Sequence, residues 1–212
     1  MIKLYNELYK AFDFFNKELF NGELKNYALT IQAPRTKAYV NVLGWCSSIP
    51  TWHAIENDEN DKSSDVPMYE VTLVANHLDR PFLEIMGTII HEMVHLSNNL
   101  KDINDCSKSQ FHNDKFRTEA ERVGLICEKV PRKGWAATSL SPKLVELIEN
   151  SDIDKSAFTF FKDKIKLEEK AKKKRKKKYK FICTSCLDVV YSEKEDLQVI
   201  CAECNQAFER TK

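Results

Sequence analysis

An α+β fold with a small appended metal module is predicted for this chain by three observations. Helix-period segments flank a run of strand-like segments instead of alternating with them. Two Cys-x-x-Cys pairs lie close to the C-terminus. Between these regions, nine of the eleven residues from Lys170 to Lys180 are Lys or Arg. Such a block repels itself and resists burial, so it marks a boundary. The predicted division is a main domain over 1–160, a basic helix or linker over 161–180 and a short module over 181–212.

The elements of the main domain follow in order. Leu4, Leu8, Phe12, Phe15 and Leu19 sit at helical spacing, and Asn21-Gly22 stops that helix. Tyr27–Gln32 alternates as a strand, Ala38–Trp45 is β-rich, and Tyr69–Asn76 reads as a further strand. The polar stretch from Glu56 to Asp65 reads as a loop. Pro81 suits the first turn of a helix running to about Leu96, capped near Asp79 or Arg80. Further helices are expected over Ser109–Val123, which ends at Gly124, over Pro142–Glu149 and over Phe158–Lys174.

Composition narrows the class. The chain has 212 residues, 42% of them hydrophobic, which is enough for a core without disulfides. Five Gly and six Pro exclude collagen-like or Pro/Gly-rich disordered chains. No apolar run approaches the roughly 20 residues that span a bilayer. Asn6, Glu7 and Lys10 interrupt the start of the chain, so no signal peptide is expected. The expected location is intracellular: cytoplasm or nucleoid, or the nucleus in a eukaryote. Seven Cys in such a compartment read as metal ligands or free thiols. The net charge of +1 hides a net of −5 over residues 1–160 and +6 over 161–212. Nothing indicates an oligomer.

The chemistry-bearing motif is Ile89-Ile90-His91-Glu92-Met93-Val94-His95. At about 100° per residue, His91 and His95 project from one helix face, one turn apart. Two imidazoles so placed can bind one zinc ion, and Glu92 beside them can take a proton from a metal-bound water. This is the pattern H-E-x-x-H. Its apolar flanks predict a buried helix, and Gly87, one turn earlier, would leave room at the metal face. A catalytic zinc needs a third protein ligand and an open position. His112 is the main candidate, with Glu119 or Glu121 as rivals. His77 is a candidate to line the cleft, and ordinary polar packing is the other reading for it and the reading for His53.

The stretch Phe20-Asn21-Gly22-Glu23-Leu24, the His91–His95 motif, the segment from His112 to Phe116 and the four C-terminal cysteines stand in the order found in SprT-like (Spartan-related) zinc metallopeptidases. The chain resembles that family over about residues 5–210. The resemblance implies a zincin-like metallopeptidase fold, with a small antiparallel sheet packed on helices and H-E-x-x-H on the active-site helix, His91, His95 and His112 as ligands of a catalytic zinc, and Glu92 as the catalytic acid/base. Asn113 stands where the family often has Gly.

At the C-terminus, Cys183, Cys186, Cys201 and Cys204 form two Cys-x-x-Cys turns with 14 residues between them. Four thiolates on two turns make a closed, structural zinc site, and the intervening length allows a hairpin of Val189–Tyr191 and Gln198–Ile200, which is a zinc ribbon. Cys46, Cys106 and Cys127 read as buried or free thiols. In the basic run, Lys172, Lys173, Lys174, Arg175, Lys176, Lys177 and Lys178 are candidate contacts to nucleic-acid phosphates with little sequence preference, and a solvated linker or a targeting signal would look the same. Tyr179, Phe181 and Tyr191 could stack on bases or simply pack.

The reading is therefore a zinc metalloprotease with one catalytic and one structural zinc, acting on protein substrates associated with DNA. Tyr69–Asn76 is the expected edge for an extended substrate, and Tyr39, Tyr69 and His77 are candidate oxyanion donors. Two other readings stay open: a non-catalytic zinc-binding scaffold, and a peptidase indifferent to nucleic acid.

Overall fold

A single helix buried along most of its length organises the main body. The computed structural model describes residues 1–34, 41–57, 63–107, 109–162 and 177–211. The chain divides into two compact units, Met1–Lys166 and Leu167–Lys212. The architecture is mixed α+β, with four α-helices and small sheets among the described residues.

In the first unit, α1 (Ile2–Phe20) buries Leu4, Leu8, Ala11, Phe12 and Phe15 on one stripe. It ends on Asn21 and Gly22, both left-handed, with the Gly22 N–H bonded to the Asn16 carbonyl. The Asn16 side chain then bonds both the N–H and the C=O of Leu24, fixing the exit of the chain. The central helix α2 (Phe82–Leu100) buries Ile85, Met86, Ile89, Ile90, Met93, Val94 and Leu96. It starts one residue later than expected, because Pro81 occupies the cap position, and it runs one turn longer.

Four strands form the sheet beside α2: β1 (Tyr27–Gln32), β2 (Gly44–Cys46), β3 (Trp52–Asn57) and β4 (Ser63–Val74). The last half of β4 lies between β1, which is parallel, and β2, which is antiparallel, so the sheet is mixed and not antiparallel throughout as expected. Its first half pairs with β3. Val71 and Leu73 join the core, while Glu70 and Thr72 share the other face with Thr30 and Gln32 through side-chain hydrogen bonds.

Several expectations change here. Residues 38–40 of the strand expected at Ala38–Trp45 lie outside the described residues, and the strand found is Gly44–Cys46. Of the loop expected from Glu56 to Asp65, residues 58–62 lie outside the described residues, and β3 and β4 extend into its two ends. The strand expected at Tyr69–Asn76 starts at Ser63 and ends at Val74; Ala75–His77 form a 3₁₀ turn. Because β4 is paired on both sides over 71–73, it has no free edge there for a substrate. Among the described residues the outer strands there are β1 and β2.

After α2 comes a loop, then α3 (Asp114–Arg122), which is shorter than the expected 109–123 helix. Asn113 caps it, its side chain accepting from the N–H groups of Lys115 and Phe116. Cap residues adopt extended backbone, so His112 precedes the helix. A hairpin follows, of β5 (Leu125–Val130) and β6 (Gly134–Leu140), then α4 (Pro142–Glu149) capped by Ser141. The hairpin escaped the sequence pattern because exposed Ile126 and the small residues Ala136–Ser139 blur its alternation. Of the helix expected at Phe158–Lys174, residues 158–162 are not helical and 163–174 lie outside the described residues.

In the second unit, β7 (Tyr179–Cys183) lies between β8 (Val189–Ser192) and β9 (Phe208–Arg210). The expected strand Gln198–Ile200 is replaced by β9; Ile200 makes an isolated bridge to Ala207.

Candidate metal centres

The His91 and His95 rings hang from one face of α2, and His112, which bridges to Cys106 and Gly134, meets them. His112 is fixed by backbone bonds on both sides. Its N–H donates to the Lys133 carbonyl, its C=O accepts from the Trp135 N–H, and the neighbouring Asn113 N–H donates to the Asp105 carbonyl. These bonds require Gly134: a Cβ there would lie 2.0 Å from the His112 carbonyl oxygen, and its φ is +67°. Nothing local in the sequence marks this approach.

The three rings converge through Nε2. The His95 and His112 Nε2 atoms are 3.1 Å apart, and those of His91 and His112 are 3.3 Å apart. A tetrahedral zinc with Zn–N bonds of about 2.0–2.1 Å needs its nitrogens about 3.3 Å from one another. The remaining ring nitrogens are held in place. His91 Nδ1 meets Thr138 Oγ1 at 2.9 Å, His95 Nδ1 meets Asp105 Oδ2 at 2.9 Å, and His112 Nδ1 meets the Gln110 carbonyl at 3.3 Å. A carboxylate and a carbonyl only accept, so the neutral His95 and His112 rings carry their protons on Nδ1. Their Nε2 lone pairs then face each other at 3.1 Å, which is repulsive unless a cation sits between them. The donor set therefore fits a zinc ion, and these outer partners orient it. Asp105 is itself held by Asn98 Nδ2 at 2.8 Å. The Phe116 ring packs against all three imidazoles, at centroid distances of 4.6 to 4.7 Å.

Burial lowers His91 well below its ordinary range, and lowers His112 to about 4. Both therefore stay neutral and able to ligate. Burial also acts to lower His95, but Asp105 and Glu92 outweigh it and raise that ring.

Glu92 is buried next to the triad. Burial pushes its carboxyl up to about 7, while His95 and a hydrogen bond from the Cys46 N–H work the other way. Gly44 lies directly against it. A Cβ there would be 2.8 Å from the Thr72 carbonyl oxygen and 3.0 Å from Glu92 Oε1. Gly44→Ala must therefore push either β2 or the Glu92 side chain aside. It should cost about 1–3 kcal/mol of stability, read as a lower melting temperature. An unchanged melting temperature would mean that this close approach is relaxed in solution.

The rival ligands are occupied elsewhere. Glu119 takes Arg122 Nε at 2.7 Å and Ser97 Oγ at 2.6 Å, with Lys101 at 3.4 Å. Arg122 holds its carboxyl down to about 2. Glu121 pairs with Arg117 at 2.7 Å. His53 is exposed and meets Asp65 at 2.8 Å. His77 does not line the cleft around the triad, and its carbonyl accepts from Arg80 Nε. Tyr69 does line the cleft, with its hydroxyl 3.5 Å from the Asn99 carbonyl. Tyr39 lies outside the described residues.

That cleft has a volume of about 1760 Å³. One face of α2 lines it from Leu83 to Asn99, with β2 and β6 alongside. Cys46 and Cys106 lie on it as free thiols, both raised by burial. Gly87 lines the same cleft one turn before His91. A Cβ there would meet Leu140 at 3.6 Å, an ordinary contact.

In the second unit, the ligand-capable atoms of Cys183, Cys186, Cys201 and Cys204 lie within 4.8 Å of one another. The Cys186 and Cys201 sulfurs are 3.6 Å apart, too far for a disulfide and close to the ~3.8 Å that tetrahedral Zn–S bonds of about 2.3 Å require. The two Cys-x-x-Cys turns are conformational copies. Leu187 and Asn205 are each left-handed, and each donates its N–H to the first Cys of its turn. The Cys186 and Ser185 N–H groups hold the Cys183 thiol down to about 7. The four-Cys cluster fits a zinc ribbon. Of the basic candidates, Lys172, Lys173, Lys174, Arg175 and Lys176 lie outside the described residues; Lys177 and Lys178 are exposed, and Lys177 sits 5.1 Å over the Tyr179 ring.

Among the described residues, no helix is long and apolar enough to cross a membrane. In comparisons with protein-family models, curated proteins and solved structures, none matches this chain.

Proposed function

We propose that this chain is a zinc-dependent peptidase of the SprT-like type, with a zincin-like first unit, acting on proteins associated with DNA. The observation that carries the reading is the convergence of three oriented Nε2 atoms beside a buried glutamate, all opening on one cleft. Zinc bound there would supply a Lewis acid that polarises the scissile carbonyl and brings the pKa of water near 7. Glu92 takes the proton of the attacking water and returns it to the leaving nitrogen. The Cys46 N–H and the bare Cα of Gly44 hold its carboxylate in place for both transfers.

Substrate alignment falls to β2. Ser47 N–H bonds the Glu70 carbonyl and Val74 N–H bonds the Leu43 carbonyl, so the alternation of an antiparallel ladder turns Trp45 towards β4. The peptide groups of Gly44 and Cys46 face the other way. Cys46 N–H is taken by Glu92, which leaves Gly44 to pair with an extended substrate backbone. Pairing through main chain suits a peptidase with broad tolerance.

The DNA association rests on the run from Lys170 to Lys180, which precedes the four cysteines in the sequence. Its test is cleavage of an unfolded protein by the zinc-loaded chain, with and without single-stranded DNA, across a salt series. DNA should accelerate cleavage at low salt, and the effect should fade as salt rises. Cleavage indifferent to DNA would point to a general peptidase; two bound zincs with no cleavage at all would point to a scaffold.

A further inference from the structure

On the side of the cleft away from Glu92, Leu83, Gly87, Leu140 and Val145 give an apolar stretch of wall, with Arg80, Glu84 and Thr88 beside it and Arg80 Nη2 donating to Thr88 Oγ1 at 2.9 Å. At about 100° per residue, Leu83 and Gly87 fall on the His91 side of α2, and Glu92 falls on the opposite side of the triad. β6 follows the His91 side: Thr138 bonds His91 Nδ1, and Leu140, two residues on and on the same strand face, stands against Gly87. Val145 of α4 lines the same region. Within 4 Å of where a Gly87 Cβ would stand, Leu140 alone is found among the described residues. The position is thus open towards the cleft, and an alanine would fit without strain. Gly in a helix interior is less stable than Ala by about 1 kcal/mol, so packing does not account for Gly87. An open space one helical turn from the triad does.

We propose that Leu83, Gly87, Leu140 and Val145 form a subsite for an apolar side chain of the substrate residue next to the scissile bond, and that Gly87 sets its depth. This rests on the peptidase reading above. Gly87 is about 6 Å along the helix axis from His91. One residue of an extended peptide spans about 3.3 Å, so the side chain of a residue flanking a carbonyl at the triad reaches that far.

The test uses the zinc-loaded full chain and quenched peptides that differ at single positions on either side of the cut, carrying Gly, Ala, Leu, Phe or Asp. At one of these positions, wild type should prefer Leu or Phe over Asp and Gly by about tenfold or more in kcat/KM. Gly87→Ala should cut the Leu-over-Ala ratio about tenfold. Its melting temperature should meanwhile rise by about 2–4 °C. A gain in stability with a loss of discrimination separates a subsite from a structural role. Equal use of Leu, Asp and Gly by wild type overturns the subsite, and so does a Gly87→Ala effect that is the same on every peptide. If wild type cuts no peptide, the peptidase reading fails. Calorimetric binding of the same peptides then decides the subsite, with tighter binding of Leu over Asp peptides expected and equal binding against it.

Discussion

Glu92→Gln should reduce peptide hydrolysis by about 10²–10⁴-fold, the usual contribution of a positioned general base, while leaving bound zinc at its wild-type level. Gln keeps the shape of the side chain and can still accept from the Cys46 N–H, so β2 has no reason to move. It cannot take a proton. A variant that hydrolyses as fast as wild type would remove Glu92 from the mechanism.

The same substitution has a second signature. Burial pushes the Glu92 carboxyl up to about 7, against about 4.3 in an unfolded chain. Between these values the folded chain holds a proton that the unfolded chain has lost, so stability falls as pH rises through that window. Gln carries no such proton. Without metal, the Glu92→Gln chain should therefore melt higher than wild type at pH 8, and the gap should close near pH 4. Tryptophan fluorescence reads this in the first unit alone, because Trp45, Trp52 and Trp135 all lie there. A gap of equal size at both pH values would show that Glu92 is solvated.

What the sequence disclosed depended on how local each feature is. His91 and His95 are one turn apart on a single helix, and each Cys pair shares a single turn, so spacing alone identifies them. His112 was readable as a candidate, but not its conformation. It is held extended by Lys133 and Trp135, about 20 residues on, across a glycine whose importance comes only from the approach of another strand. Gly44 is invisible for the same reason. Glu119 and Glu121 are candidate ligands in the sequence, yet Arg122 and Arg117 pair with them at i,i+3 and i,i+4 on the same helix, which spacing alone discloses; only Ser97 and Lys101 reach Glu119 through tertiary contact. Whether a strand is central or at an edge is likewise a property of topology, which is why β4 looked available for a substrate and is not.

The largest effect on stability is expected in the second unit. Its described buried apolar positions are Phe181, Cys183 and Cys201, so two of the three also belong to the four-Cys cluster that could hold a metal ion. Burying one Phe contributes about 1.5–3 kcal/mol, whereas zinc on four thiolates contributes on the order of 10–16 kcal/mol. The metal site is thus most of what this unit has for a core. Cys183→Ser should drop bound zinc from two per chain to one and abolish amide-exchange protection over 179–210, with the tryptophan melt of the first unit unchanged. His95→Ala should also leave one zinc, this time in the ribbon, because each candidate ligand cluster lies entirely within one unit. Loss of both ions in either variant would mean that the two units do not fold independently. Retention of both in Cys183→Ser would mean that the sulfurs are not holding a metal, and the fold of residues 177–211 would then need another source of stability.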